Sequence, residues 1–250
     1  MQLIAIISSM PFESEFILSS LKKARPYSIA GKPVHKGQLS GMNVVLMNSG
    51  IGKANAAHSV TCIIEKYPVN AIINIGVGGA YPGSGLTIGD IAFASKEIYG
   101  DEGVIDSKGW GGLEKIGIPL VQDGKKKYFN EFPVTLPCLV SRGKGRAGEF
   151  SFTIRTGRFV TVSAATGTQR RAKELEKRFN ALCENMEGAA IAQVCALYKM
   201  PVFEIRGISN IAGIRDKRKW DLNLASKNCQ FITLDIIEAD FRGRCQGWGK

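Results

Sequence analysis

Histidine is scarce in this chain: His35 and His58 are the only two among 250 residues. They stand alone, so they read as surface or packed imidazoles, and a metal site built on several histidines is excluded. Six cysteines lie at 62, 138, 183, 195, 229 and 245, with no CxxC pair and no metal-ligand spacing. They read as reduced thiols of a cytoplasmic protein. No apolar run reaches the ~18 residues that a membrane span needs. The opening stretch, MQLIAIISSMPFESEF, lacks a basic leader, and carboxylates follow its short apolar run. It is expected to be a first strand and not a secretion signal. These absences argue against a polyhistidine metal site and a membrane partner, and the expectation is no metal.

What the chain does have is an ordinary globular composition, 44% hydrophobic and 22% charged, which excludes a disordered chain, a collagen and a coiled coil. Its formal net charge is +11. Between 106 and 180 there are 15 Lys and Arg against 7 Asp and Glu, so +8 of the excess sits in the middle third. Lys125, Lys126 and Lys127, and then Arg142, Lys144 and Arg146, lie in glycine-rich stretches without interleaved aromatics. They read as solvated loops in preference to a nucleic-acid surface.

Strands and helices alternate. Apolar runs predict strands over 3–8, 69–75, 90–98, 159–163 and 202–208, and a hairpin over 34–49 turning at Ser40-Gly41. Helical spacing predicts helices over 12–24, 51–66, 169–182, 188–199 and 222–241. The stretch 100–160 is glycine-rich and poorly periodic. Apolar strands separated by helices imply a mostly parallel or mixed sheet covered on both faces. The expected fold is α/β: a three-layer sandwich with a central mixed β-sheet flanked by helices, forming one domain over 1–250.

In open α/β sheets, ligands sit beyond the carboxyl ends of the strands. Four segments fall there. Glu13 and Glu15 follow the first strand, where a carboxylate serves as a helix-dipole partner or a general base. Gly76, Val77, Gly78 and Gly79 follow a buried strand, as a tight turn or a close backbone approach to a ligand. The spacing is not that of a dinucleotide loop, nor does Ser49-Gly50-Ile51-Gly52-Lys53 have the phosphate-loop spacing. Glu184, Asn185, Met186 and Glu187 open a helix of small residues, as a cap or as ligand contacts. Arg206, Ser209 and Asn210 end the 202–208 strand, as a structural ion pair or a polar cluster. Together these supply the carboxylates and donors that a hydrolase acting through an oxocarbenium-like sugar requires.

The blocks SGIGKANAA (49–57), NIGVGGAYPGSGLTIGDI (74–91), ENMEGAAIAQVC (184–195) and PVFEIRGISNIAG (201–213) together resemble the nucleoside phosphorylase superfamily. More narrowly they resemble its methylthioadenosine/S-adenosylhomocysteine nucleosidase branch. YGDEGV (99–104), the NMEG block and SNIAGIRDKRKWDL (209–222) are most similar to the futalosine hydrolase family within it. The resemblance spans nearly the whole chain and is weakest over 103–160. It implies hydrolysis of futalosine to hypoxanthine and dehypoxanthine futalosine, in menaquinone biosynthesis, by a homodimer or larger homo-oligomer. No organic cofactor is expected for that activity.

By the same resemblance Glu13 activates the water, with Arg206 holding that site. Met186 and Glu187 contact the ribose, and Val77, Gly78 and Gly79 lie beneath sugar and base. Ser209 stands beside them, and Thr166 to Gln169 run near the base. Asn210 stands where adenine-specific members of the branch carry a proton-donating aspartate. An amide does not titrate but donates N–H, which favours a 6-oxopurine. Asp216 or Asp221 is left open as a proton source, and Arg215, Arg218 and Lys219 as partners for an anionic 5′ group. The segments SSMPFESEF and IGVGGAYPG carry no arginine for phosphate. A phosphorolytic reading needs a cation such as Lys53. The alternatives are another purine nucleosidase or phosphorylase, a nucleoside sensor without turnover, or a basic nucleic-acid-binding module.

Overall fold

The computed structural model describes residues 2–138 and 152–239. Arg142, Lys144, Arg146, Cys245 and the predicted helix end at Phe241 lie outside the described residues.

β1 (Leu3–Ser8), an unbroken run of buried residues, starts a ten-stranded mixed sheet. The predicted hairpin is present as β3 (Lys32–Leu39) and β4 (Met42–Asn48), with β2 (Lys22–Ile29) added at the edge. β2 overturns the back half of the predicted 12–24 helix. That stretch is a 3-10 turn (Pro11–Glu13), a short α1 (Glu15–Ser20) and then strand. Only Ile17 of α1 is buried, and from Lys22 the chain pairs with β3 instead of continuing as a helix.

α2 (Lys53–Lys66) leads to β5 (Ala71–Ala80), β6 (Ile91–Tyr99) follows, and two small hairpins fill the glycine-rich middle. These are β7 (Val104–Asp106) with β8 (Gly109–Gly111), and β9 (Val121–Asp123) with β10 (Lys126–Tyr128). Then come β11 (Glu131–Pro133), β12 (Ile154–Thr161), α3 (Gln169–Phe179), β13 (Ala181–Asn185), α4 (Gly188–Leu197), β14 (Val202–Ile211) and α5 (Leu222–Ala239). The predicted 169–182 helix stops early because Asn180 takes the left-handed conformation that closes a helix, releasing 181–185 as a strand.

β5 and β6 change partners along their length. One edge of β5 pairs with β1 up to Asn74 and with β13 from Gly79, and its other edge pairs with β14 throughout. β14 also pairs with β6, so β5, β13, β12, β6 and β14 close into a ring. Between Asn74 and Gly79 the first edge of β5 has no strand against it, and the sheet opens there into a crevice. The glycine-rich 76–79 segment is therefore strand, not the turn that its composition suggested.

Helices cover both faces. α2 and α4 bury Val60, Ile63, Ile191 and Val194 against one side, and α1 and α5 bury Ile17, Ile232, Ile236 and Ile237 against the other. Burial of each such aliphatic side chain is worth about 1.5–3 kcal/mol. Among the described residues no helix is long and apolar enough to cross a membrane.

Candidate active site

A cavity of about 290 Å³ opens at the crevice, lined from the carboxyl ends of β1, β4, β5, β12, β13 and β14. Its size is at the small end for a small-molecule site. Glu13, Val77, Gly78, Gly79, Met186, Glu187, Ser209 and Asn210 all line it. Arg206 does not. It lies behind the wall with 1% of its surface exposed, which makes it a positioning residue.

Glu13 is buried at the end of the 3-10 turn, which Pro11 opens. Its Oε2 accepts from the Ser9 amide (2.9 Å), the Ser9 hydroxyl (2.6 Å) and the Met10 amide (2.8 Å). Its Oε1 accepts the Val77 amide at 2.9 Å. Val77 has that N–H to give because β5 is unpaired there. The split in the sheet thus fixes the carboxylate at its mouth.

Glu187 stands at the start of α4 without capping it. Asn185 does that work, its Oδ1 accepting the amides of Glu187 (2.9 Å) and Gly188 (2.7 Å). The Glu187 carboxylate is thereby free to face the cavity, where Oε1 accepts the Gly52 amide at 2.9 Å. Gly52 sits at φ +95°, a conformation that glycine adopts without strain. Burial pushes the Glu187 carboxyl above its usual value, Glu13 adds to the rise, and Arg206 opposes both.

The Arg206 guanidinium binds Glu204 Oε1 through Nε (3.0 Å) and Nη2 (2.8 Å), and its Nη1 lies 3.9 Å from Glu187 Oε2. Burial disfavours its charge, but Glu204, Glu187 and Glu13 outweigh that and hold it charged, above its ordinary value. Deeper still, Glu97 is wholly buried, and burial together with Glu204 pushes its carboxyl well up. Glu97 accepts from Thr161 and Asn185. A cushion of carboxyl groups around one arginine thus lies under the Glu187 end of the cavity.

At the opposite end Ser209 and Asn210 ride on a register shift of β14 against β5. The Ser209 hydroxyl stands 2.8 Å from Asn210 Oδ1, which orients the amide. Glu184, Thr166, Ser9, Asn185 and Trp220 also line the cavity. The sequence reading gave none of them a settled role. Glu184 and Asn185, expected as a cap or as ligand contacts, reach the cavity at the end of β13, a strand that the predicted 169–182 helix overlaps at 181–182.

Other candidates fall away from the cavity. Asp216 pairs with Arg218 in an exposed turn, and Asp221 accepts the Leu224 amide at the start of α5. Neither lines the cavity, so neither is placed to supply a proton. Lys53 is held by Asp101 and Glu102. Arg215 does reach the cavity and lies over the Trp220 ring at 4.9 Å.

The profile described as Phosphorylase superfamily matches residues 3–238. The futalosine hydrolase of Thermus thermophilus is 34% identical over 73% of this chain and 76% of its own length. The 5′-methylthioadenosine/S-adenosylhomocysteine nucleosidase of Halalkalibacterium halodurans is 31% identical over 94% of this chain and 97% of its own. Among solved structures, the nucleosidase of that type from Colwellia psychrerythraea, in complex with adenine, superposes with a TM-score of 0.81. It is 27% identical and covers 96% of each chain.

Proposed function

The chain belongs to the phosphorylase superfamily, and we propose that within it this protein is a purine nucleosidase acting on futalosine. It would release hypoxanthine and dehypoxanthine futalosine, in menaquinone biosynthesis. The observation that carries the choice of substrate is Asn210, a donor amide on the cavity wall where an adenine-releasing enzyme of this branch has a carboxylic acid. The Thermus relative, a futalosine hydrolase, supports it.

Glu13 takes the proton of a water that attacks C1′ of the ribose. Glu187 accepts the ribose hydroxyls and steadies the positive charge that develops on the sugar. The C–N bond breaks ahead of attack, and the electron pair leaves with the purine, which Asn210 Nδ2 meets as a hydrogen-bond donor at N7 or the 6-oxo oxygen. The departing anion is protonated from solvent, to which Glu13 returns the proton it took from water. Arg206 keeps Glu13 and Glu187 in place from below. Positioning and fixed electrostatics supply most of the rate. Water is favoured over phosphate because Lys53 is already neutralised by Asp101 and Glu102.

A second reading has its own support. The full-length match to a methylthioadenosine/S-adenosylhomocysteine nucleosidase and the adenine held by the Colwellia structure favour a 6-aminopurine substrate.

Chromatography of the base released from futalosine, aminodeoxyfutalosine, methylthioadenosine and inosine, with and without phosphate, separates the readings. Phosphate-independent release of hypoxanthine from futalosine is expected. Adenine release from methylthioadenosine or aminodeoxyfutalosine alone would overturn the role given to Asn210. Phosphate-dependent cleavage of inosine would mean that the nucleophile is wrong. Asn210→Asp is expected to raise the ratio of adenine to hypoxanthine release.

A further inference from the structure

Gly79 of β5 lies between two registered partners, Glu184 on β13 and Asn210 on β14. It has no side chain, and both neighbours lean over it. A methyl group at Gly79 would stand 3.2 Å from Asn210 Nδ2 and 3.6 Å from Glu184 Cγ. A buried carboxyl and an oriented amide therefore share the base end of one cavity, a strand apart. The reaction described above uses only the amide.

We infer that Glu184 is a specificity-determining residue, its carboxylate accepting the N1–H of a 6-oxopurine while Asn210 donates to the acceptor edge of the same base. This rests on the nucleosidase reading and deepens it. A 6-oxopurine presents N1–H as a donor and O6 and N7 as acceptors. A 6-aminopurine presents N1 as a bare acceptor and N6 as a donor, which sets lone pair against carboxylate at N1.

Thr166 turns two donors on Glu184 and so favours the ionised form that this pairing needs. Its amide donates to Oε1 at 2.9 Å and its hydroxyl donates to Oε2. The buried Tyr81 hydroxyl also faces this carboxylate; with two lone pairs on each oxygen, these donors leave acceptor capacity for a ligand. Burial pushes the Glu184 carboxyl up, and the Thr166 bonds oppose the rise. A charge half-starved of solvent in this way gains a strong donor from the correct base and loses by facing an acceptor. Sites that hydrogen-bond a substrate group discriminate far better than shape alone, because the wrong ligand leaves buried polar groups unpaired.

Anchoring Thr166 is a purely structural task, and glutamine performs it nearly as well. The test therefore uses Glu184→Gln, with Glu184→Val as a second variant and circular dichroism to verify folding. Hypoxanthine and adenine are titrated calorimetrically into the full-length wild-type chain and both variants. Wild type is expected to favour hypoxanthine by about 30-fold or more, and each variant by less than about threefold. Equal or tighter adenine binding by wild type, binding of neither base, or a preference that survives in both folded variants would overturn the inference. These titrations need no turnover. A chain that selects hypoxanthine through Glu184 yet releases no base from any nucleoside upholds the inference and removes the nucleosidase reading. A chain that hydrolyses nucleosides with a base preference indifferent to Glu184 does the reverse.

Discussion

Glu13 and Arg206 close on the same point above Gly76. A methyl group there would stand 2.7 Å from Glu13 Oε1 and 2.5 Å from Arg206 Nη1. Neither side chain is free to retreat. Glu13 is held by four donors, and Arg206 is buried against Glu204. Gly76→Ala is therefore expected to lower stability by about 1–3 kcal/mol, as overpacking does, and to reduce kcat by displacing Glu13. Urea denaturation and steady-state kinetics on the same preparation check both. Wild-type kcat in the variant would show that Glu13 is not held where the mechanism needs it.

Removing the arginine is expected to cost more. Arg206→Met has similar reach but leaves Glu204, Glu187 and Glu13 without their shared cation. Breaking a buried pair on one side typically costs about 3–5 kcal/mol. Denaturant midpoints of the variant and wild type measure it, and a change below ~1 kcal/mol would mean that solvent already screens the cluster.

Glu97 gives a pH dependence with a defined sign. Its folded-state carboxyl is pushed well above 4.5 by burial and by Glu204. The native state therefore keeps a proton that the unfolded chain has lost, and this contribution to stability fades as pH rises from that value through the folded pKa. Glu97→Gln carries the proton permanently. The variant is expected to lose less Tm than wild type between about pH 5 and pH 9. Parallel Tm-against-pH curves would contradict the assignment.

Glu13 and Glu187 should separate kinetically. Glu13→Gln removes the proton acceptor and is expected to lower kcat by roughly 10²–10⁴ with little change in KM. Glu187→Gln weakens a contact that strengthens as the sugar becomes cationic, and a kcat loss of about 10²–10³ is expected. Near-normal turnover in either variant removes that residue from the reaction.

Most of this arrangement is readable from residue order. The buried runs at β1 and β14 and the helices α2 and α4 follow directly from apolar spacing. Glu13, Glu187 and Asn210 lie at the strand ends where α/β sheets gather ligands. What could not be read is which edge of a strand is empty. The Val77 amide reaches Glu13 because β5 loses β1 before it gains β13, and that depends on partners distant in sequence. β13 itself was hidden because Asn180 ends α3 through a single backbone conformation that a helical period does not reveal. Glu184 is readable from the sequence as a cap or a ligand contact, but nothing there hints at the glycine it overhangs. Glu97 and Glu204 were unreadable for a similar reason. Both sit in runs that are otherwise plain buried strand, and only the closing of the strand ring brings them together.

The lining of the cavity also runs against the charge of the molecule. The chain carries +11, yet among the described residues Glu13, Glu184 and Glu187 face the cavity against one arginine, Arg215. At long range the protein attracts anions, and at the reaction centre it repels them. On the futalosine reading, a ligand with a negative group remote from its sugar would be drawn in and turned, charged end outward, whereas a small free anion would gain nothing by going further than the rim. The polarity of approach is thus set before any hydrogen bond is made. On that reading the inversion of sign that orients the substrate would also keep the floor of the cavity for water.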